Sequence, residues 1–208
     1  IFYIYFKIKS YEINIVHARS RAPAWSAYFA SKLANVKFVT TFHGTYNFKS
    51  KIKKFYNSIM VKSDYVIAGS EFISNHIYKN YVVKAKSSVV KRGIDEKYFS
   101  INNVSEDEKK KLRELLNIDD KKFIILLPGR LTYWKGQKLF IEALNILNQK
   151  KLLEKVFALI IGGHQGRVDY KKALIDMIKK YQLDDKLKIA HGLNKMPVAY
   201  SISNLVLS

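Results

Sequence analysis

Short apolar runs alternate with amphipathic stretches along most of this chain. Runs rich in β-branched and aromatic residues predict strands, and apolar residues at three- and four-residue spacing predict helices. In the first half, the predicted strands are Ile13–Ala18, Phe38–Thr41, Tyr65–Ala68 and Ser88–Val90. The predicted helices there are Ala24–Leu33, Ile52–Lys62 and Glu71–Asn80. This βαβα order predicts a parallel sheet covered by helices on both faces.

The same alternation resumes in the second half. The predicted strands are Phe123–Leu127, Phe157–Ile161, Leu187–Ala190 and Leu205–Leu207. The predicted helices are Lys138–Asn148, Tyr170–Tyr181 and Pro197–Ser203. Two such α/β halves predict a cleft between them, bordered by the carboxyl ends of parallel strands, where folds of this class bind their ligands.

The stretch between the two halves is polar and charge-dense. Ser105 and Glu108 form a capping-box pattern ahead of Leu112, which predicts the start of a short helix. We therefore predict an N-terminal domain over residues 1–97, a linker with a short exposed helix over 98–120 and a C-terminal domain over 121–208.

Composition limits the class of protein. The chain has 208 residues, of which 48% are hydrophobic, so it can bury a core, and it has no cysteine. A disulfide framework and thiolate chemistry are therefore excluded, and a reducing compartment is compatible. No apolar run reaches the roughly 18 residues that a membrane-spanning helix needs. We expect additional residues before Ile1, which is not an initiator methionine, and after Ser208, which directly follows a predicted strand.

The formal net charge of +20 invites two interpretations, a nucleic-acid partner and an anionic membrane. The lysines are spread along the chain and accompany an abundance of isoleucine, asparagine and tyrosine, which indicates a general compositional bias. We therefore do not expect nucleic-acid binding. Attraction to anionic lipid headgroups is more plausible, because it needs only a basic face.

Two cations stand on a predicted loop between a strand and a helix. A Pro128-Gly129 turn ends the strand, Arg130 and Lys135 follow, and Gly136 precedes the helix. Backbone N–H groups and the helix dipole favour anions at such a position, and the two side chains add a planar fork of donors and a point charge. The pattern predicts a diphosphate site. An ordinary loop with solvated cations is the alternative that the local sequence leaves open.

Other polar or glycine residues also follow predicted strands. In the first half these are His17, Arg19, Arg21, His43 and Gly44, which are candidates to meet an anion or to line the cleft. In the second half they are Gly162, Gly163, Gly192 and Leu193, whose backbone is a candidate to approach a ligand. A plain structural turn is the alternative in each case. Neither histidine spacing nor an acidic cluster indicates a metal site.

Five segments in order resemble one family. They are residues 16–25 (VHARSRAPAW), 41–46 (TFHGTY), 68–72 (AGSEF), 90–95 (VKRGID) and 128–136 (PGRLTYWKG). The chain resembles retaining glycosyltransferases of family four, which have the GT-B architecture of two Rossmann-like lobes whose parallel sheets face a cleft. The first segment most resembles a bacterial cell-envelope branch that transfers sugars of the lipopolysaccharide type.

The resemblance implies roles for particular residues. Arg130 and Lys135 would hold the diphosphate of a nucleotide-sugar donor, His43 would face the transferred sugar, and the loop at Gly192 would lie near the nucleobase. The implied catalytic set is therefore His43, Arg130 and Lys135, with no metal or cofactor. The acceptor would be a glycan or glycolipid, and the protein would be cytoplasmic, with a peripheral position on the inner face of the cell membrane also compatible.

Some family features fall outside the sequence. The glycine-rich N-terminal loop is expected upstream of Ile1 and the Glu-x7-Glu segment beyond Ser208, and Lys91 stands where relatives often carry proline. A truncated, non-catalytic remnant that still binds nucleotide is therefore an alternative function. A basic nucleic-acid-binding protein is a further one. A dinucleotide-dependent dehydrogenase is a weak alternative, because no Gly-x-Gly-x-x-Gly follows any predicted strand.

Overall fold

The computed structural model describes residues 1–46, 50–193 and 195–208. The chain divides into two compact units, Ile1–Gly93 and Ile94–Ser208. Each unit holds one four-stranded sheet in which all paired strands are parallel. The prediction of two α/β halves built on parallel sheets is confirmed.

The first unit alternates helices and strands from its start. Its helices are α1 (Phe2–Ser10), α2 (Arg21–Ala34), α3 (Lys51–Ser58, continued by a 3-10 turn at Ile59–Val61) and α4 (Glu71–Asn80). Its strands are β1 (Ile15–Ala18), β2 (Lys37–Phe42), β3 (Tyr65–Ala68) and β4 (Lys86–Val89), paired in that order. Because all four strands run parallel, their carboxyl ends share one edge, where His17, Arg19 and His43 lie.

Helix α1 was not predicted. Its apolar residues recur without a single apolar face, and Phe2, Tyr3 and Phe6 are exposed. Ile8 is buried, and it packs in a small cluster with Ala30 and Ala34 of α2. A contact with α2, which is distant in sequence, thus stabilises this helix, and local periodicity cannot report it.

A polar network inside the first unit joins the 3-10 turn to the sheet. The buried hydroxyl of Thr40 bonds to the Met60 carbonyl and lies 2.8 Å from the Ser63 hydroxyl. The Asp64 carboxylate accepts a hydrogen bond from the Phe38 N–H at 2.8 Å. These bonds satisfy groups that would otherwise be costly to bury, so they fix the entry to β3.

The second unit has the same alternation. Its helices are α5 (Glu106–Leu116), α6 (Gln137–Gln149), α7 (Val168–Lys180) and α8 (Met196–Ser201), with 3-10 turns at Ile101–Asn103 and Tyr133–Lys135. Its strands are β5 (Phe123–Pro128), β6 (Val156–Ile161), β7 (Leu187–Ala190) and β8 (Leu205–Val206), in the order β7-β6-β5-β8. The central pair is therefore β5 and β6, whose ends carry Gly129 and Gly162.

The two faces of this sheet are covered by different helices. Alternate residues of β5 point to opposite faces, as strand geometry requires. Leu127 packs in the cluster that holds α6 and α7, whereas Ile124 and Leu126 pack in the cluster that holds α5 and α8. Burial on both faces explains why β5 and β6 are continuous apolar runs in the sequence.

The segment predicted as a linker, 98–120, is part of the second unit. The capping box at the start of α5 is present, since Ser105 and Glu108 bond reciprocally as predicted. However, α5 is not an exposed helix between domains, because Leu112 and Leu116 are buried against the sheet. The Glu108 carboxylate also forms an ion pair with Lys195 at 2.7 Å. The narrow apolar stripe of α5 is thus sufficient to pack this charged helix against the sheet. The division between the two units falls earlier in the chain, between Gly93 and Ile94.

Candidate functional site

The loop after β5 is bonded to the loop after β6 by backbone alone. The Gly129 N–H donates to the Ile161 carbonyl at 2.8 Å, and the Leu131 N–H donates to the Gly163 carbonyl at 3.0 Å. Gly129 has a φ of 152°, a backbone conformation that residues with a side chain rarely adopt. The loop that carries Arg130 is therefore held directly above the end of β6.

Gly162 is required by this contact. A Cβ atom at Gly162 would lie 1.9 Å from the Gly129 carbonyl oxygen, a distance that no packing tolerates. At Gly163, by contrast, a Cβ would meet nothing within 4 Å. The first glycine of the pair thus has a structural explanation, namely the approach of a neighbouring loop. The second leaves open space beside the loop.

A buried amide holds the backbone of Arg130. The Gln137 Nε2 donates to the Arg130 carbonyl at 2.9 Å, and the Tyr170 hydroxyl donates to Gln137 Oε1 at 3.2 Å. Both supporting side chains are almost fully buried, at 0% and 2% exposure. Sequence reasoning missed them, because a glutamine at a helix start and a tyrosine on a later helix carry no local signal of this partnership.

The side chains of Arg130 and Lys135 are exposed at this edge of the sheet. The Arg130 Nη1 donates to Gln165 Oε1 at 3.3 Å, and the aliphatic stem of Lys135 lies over Gly129, whose added Cβ would be 3.6 Å from Lys135 Cδ. Within the described ranges no carboxylate forms an ion pair with either cation. The loop therefore presents two uncompensated positive charges, as a diphosphate site needs.

The loops after β6 and β7 lie side by side. The His164 and His191 ring centroids are 6.5 Å apart. Gly192 has a φ of 75°, a left-handed conformation that favours glycine, so a turn explains this residue. Leu193 packs partly buried against the cluster of α5 and α8.

His43 follows β2 in the first unit and contacts an arginine. The Arg19 Nε donates to His43 Nε2 at 3.1 Å, which places the imidazole proton on Nδ1. That Nδ1 is buried and has no hydrogen-bond partner among the described residues. Burial lowers the pKa of His43, and the charges of Arg92, Arg19 and His17 lower it further. At neutral pH His43 is thus an uncharged donor with an unused N–H.

His17 lies beside this pair. Its Nε2 is 2.7 Å from the Thr41 hydroxyl, and its pKa is lowered by burial and by Arg19. His17, Arg19 and His43 therefore form one cluster at the carboxyl edge of the first sheet. The sequence segments assigned no role to Thr41, which contacts His17, or to Arg92, which acts on His43 through its charge.

Arg21 has different partners. Its Nη1 donates to Asn57 Oδ1 at 2.9 Å, and its guanidinium lies 4.4 Å from the ring centroid of Tyr46. These contacts join α2 to α3 and to the loop after β2, so the structure gives Arg21 a packing role. Gly44 has open space where a side chain would be, so its environment imposes no steric need for glycine.

Within the described parts of the chain, no group of three or more His, Asp or Glu side chains is arranged to hold a metal ion. No helix within those parts is both long and apolar enough to cross a membrane.

Family models match both units. Residues 1–98 match the model described as Glycosyltransferase Family 4, and residues 108–208 match the model described as Glycosyl transferases group 1. A solved glycosyltransferase from Rickettsia africae ESF-5 is 36% identical, with a TM-score of 0.85, and the match covers 99% of this chain and 54% of that one. The chain has the sequence and the fold of a GT-B glycosyltransferase.

Other glycosyltransferases are similar over less of the sequence or at lower identity. An uncharacterized glycosyltransferase from Methanocaldococcus jannaschii is 32% identical over 130 residues, which are 60% of this chain and 31% of that protein. Anabaena Alr3699/HepE, solved in complex with UDP-glucose, is 21% identical with a TM-score of 0.83, covering 98% of this chain and 54% of that one. This chain thus spans about half the length of its solved glycosyltransferase relatives.

We predict that Gly162→Ala destabilises the second unit by about 1–3 kcal/mol, the usual cost of overpacking, because the new Cβ collides with the Gly129 carbonyl. Urea unfolding followed by circular dichroism measures the change. Gly163→Ala is the matched control and should be neutral or slightly stabilising, since its Cβ meets open space. Equal effects of the two variants would contradict the proposed backbone contact.

We predict that His43 titrates below the ordinary histidine pKa of about 6.5 and that Arg92→Gln raises its midpoint. Removing a nearby cation favours the imidazolium. His17 is an internal control, because Arg19 and not Arg92 lowers its pKa. NMR of the ring resonances against pH measures both. The His43 pKa is higher in the unfolded chain, so as pH falls the unfolded chain takes up this proton first. The contribution of His43 to the free energy of unfolding is therefore complete above about pH 6.5 and is lost as pH falls through the folded-state pKa. An unmoved His43 midpoint would disprove the coupling.

Proposed function

We propose that this chain carries out, as part of a GT-B glycosyltransferase, the transfer of a sugar from a nucleotide-sugar donor to a cell-envelope acceptor with retention of configuration. The observation that carries the proposal is the pair of uncompensated cations, Arg130 and Lys135, on a rigid loop at the carboxyl edge of the second sheet. The complex of the structurally similar Anabaena protein with UDP-glucose supports a nucleotide-sugar as the donor.

Arg130 and Lys135 would act on the leaving group. As the bond between the sugar and the diphosphate breaks, negative charge develops on the phosphate oxygens. A guanidinium and an ammonium already placed at that position stabilise the developing charge without reorganisation of the site. Gln137 and Tyr170 contribute by holding the Arg130 backbone, so the loop does not have to become ordered when the donor binds. In this proposal the two cations supply the positive charge that a metal ion supplies elsewhere.

His43 would contact the sugar. The lowered pKa keeps the ring neutral, and its Nδ1–H has no hydrogen-bond partner among the described residues, so a movement that exposes Nδ1 would let it donate to a hydroxyl or carbonyl oxygen. Arg19 is a positioning residue for this donor, because its bond to Nε2 fixes the tautomer. We propose retention of configuration from the resemblance of the sequence segments to retaining enzymes.

The acceptor would be a lipopolysaccharide-type glycan or a glycolipid, reached from the cytoplasmic face of the membrane. Helix α3 supports a peripheral association. Ile52 and Phe55 are 81% and 63% exposed on this helix, and Lys51, Lys53 and Lys54 stand beside them. Apolar side chains among lysines suit the boundary between anionic headgroups and acyl chains. The lack of cysteine is compatible with a reducing cytoplasm.

We predict that Arg130→Ala weakens the binding of UDP or another nucleoside diphosphate by about 10- to 150-fold. This range corresponds to about 1.5–3 kcal/mol for a hydrogen bond to a charged group. Isothermal titration calorimetry with UDP, GDP and ADP measures the loss and identifies the base. Lys150→Ala is the control, because it removes one positive charge just beyond the other end of α6.

Unchanged binding in Arg130→Ala would remove this loop from the donor site. An assay of the transfer of labelled sugar to envelope lipids distinguishes an active glycosyltransferase from a non-catalytic remnant that only binds nucleotide. A remnant without activity would bind the nucleotide and lose the same affinity in Arg130→Ala, but it would transfer no sugar.

A further inference from the structure

We propose that Arg167 is a third cation of the candidate diphosphate site, and that the Gln165 side-chain oxygen occupies the position of a phosphate oxygen there until a donor binds. The proposal rests on the proposed function, which it deepens by adding a further binding residue to the same site. All of the contacts that carry it lie inside the second unit, Ile94–Ser208.

A tight turn in the loop after β6 positions Arg167. The Arg167 N–H donates to the His164 carbonyl at 2.9 Å, which closes the turn. The two central residues, Gln165 and Gly166, have φ values of 47° and 81°, so both lie in the left-handed region. The Gly166 N–H also donates to His164 Nδ1 at 3.2 Å. Hydrogen bonds within the turn thus hold the backbone that carries Gln165 and Arg167.

One neutral oxygen lies between two guanidinium groups. Gln165 Oε1 accepts a hydrogen bond from Arg130 Nη1 at 3.3 Å and another from Arg167 Nη1 at 3.5 Å. Arg130 follows β5 and Arg167 follows β6, so the shared oxygen joins cations from two different loops. The two Nη1 atoms can be no farther apart than the sum of these distances. The arginine that the sequence motif predicted therefore has a second arginine as its neighbour.

The contacts to this oxygen are long for charged donors. A guanidinium usually bonds to an anionic oxygen at about 2.7–2.9 Å. The amide oxygen of Gln165 is neutral, so it offsets little of the repulsion between the two like charges. A phosphate oxygen carries negative charge, and the guanidinium fork matches the geometry of a phosphate. The position of Gln165 Oε1 between the arginines is therefore better suited to an anion than to an amide.

Trp134 holds the Arg167 guanidinium close to the loop after β5. This exposed indole belongs to the 3-10 turn that ends at Lys135, and the Arg167 Cζ lies 5.9 Å from its ring centroid. An indole face attracts a cation without neutralising it. Within the described ranges Arg167 forms no ion pair, and neither does Asp169, the acid nearest to it in the sequence. Arg167 therefore keeps its full charge for an incoming anion.

A third cation suits the leaving group better than the intact donor. When the bond between the sugar carbon and the phosphate oxygen breaks, this oxygen keeps the bonding electrons. The nucleoside diphosphate thus leaves with one more negative charge than it carried in the donor. The acceptor hydroxyl oxygen forms the new bond to the sugar carbon, and its proton is released to the solvent. Arg130, Lys135 and Arg167 interact most strongly with the more charged species, so together they favour bond cleavage.

The first test is calorimetry with inorganic pyrophosphate, which has the diphosphate without a base or a sugar. We expect Arg167→Gln to weaken pyrophosphate binding by about 10- to 150-fold, because it removes a charged hydrogen-bond donor. Lys179→Gln makes the same change of charge at the other end of α7 and should bind pyrophosphate as the native chain does. Equal pyrophosphate affinities of Arg167→Gln and the native chain overturn the proposal.

The second test places an anion between the two arginines on the chain itself. In Gln165→Glu a carboxylate competes with the ligand, so pyrophosphate affinity should fall by about tenfold or more. Thermal unfolding followed by circular dichroism should show no loss of stability, because the carboxylate gains two cationic partners. Gln182→Glu is the matched control, since Gln182 also has a left-handed φ, 53°, and follows the far end of α7. Equal losses of affinity in the two variants would show a general effect of charge and overturn the proposal.

Calorimetry with UDP, GDP and ADP distinguishes a failure of this proposal from a failure of the proposed function. If Arg130→Ala loses affinity for a nucleoside diphosphate and Arg167→Gln does not, the third cation is wrong and the nucleotide site stands. If the native chain binds pyrophosphate through Arg167 but binds no nucleoside diphosphate, the proposed function is wrong and the anion site stands. Loss of affinity for both ligands in both variants supports the proposal and the proposed function together.

Discussion

The hydrogen-bond ladder between β5 and β6 continues past the ends of both strands, and the candidate diphosphate site depends on it. Bonds from Gly129 to Ile161 and from Leu131 to Gly163 extend the parallel pairing into the two loops. Because backbone atoms make these bonds, no functional side chain is used to hold the loop in place. Arg130 and Lys135 are therefore carried by a fixed backbone while their charged ends stay available.

The first unit reaches a comparable result by different means. Its cluster is held by side chains, since Arg19 bonds to His43 and His17 lies against Thr41. Bringing cations and imidazoles together without a nearby carboxylate costs electrostatic free energy, part of which is avoided because the rings remain neutral. The second unit thus positions its cations through backbone hydrogen bonds. The first unit positions its cations through side-chain contacts, despite the repulsion between their charges.

Local patterns predicted the elements well where a residue acts on its near neighbours. The strand Tyr65–Ala68 and the helix Glu71–Asn80 have the predicted bounds, and Ser105 caps its helix as expected. The docking of α5 and the partners of Arg21 could not be predicted, because they depend on contacts between residues far apart in sequence. For the same reason, strand ends indicated which residues share an edge but not that Gln137 supports Arg130. The roles of the site residues remain predictions.

The uneven charge of the two units has a consequence for their response to ionic strength. Dissolved ions screen repulsion and attraction alike over a distance of about 8–10 Å at moderate salt. The first unit, with sixteen cations against three acids, gains stability when its repulsion is screened. The second unit has a smaller excess of positive charge and holds all six ion pairs of the described residues, so screening weakens attraction there as well as repulsion. Added salt is therefore expected to favour the folded first unit more than the folded second unit.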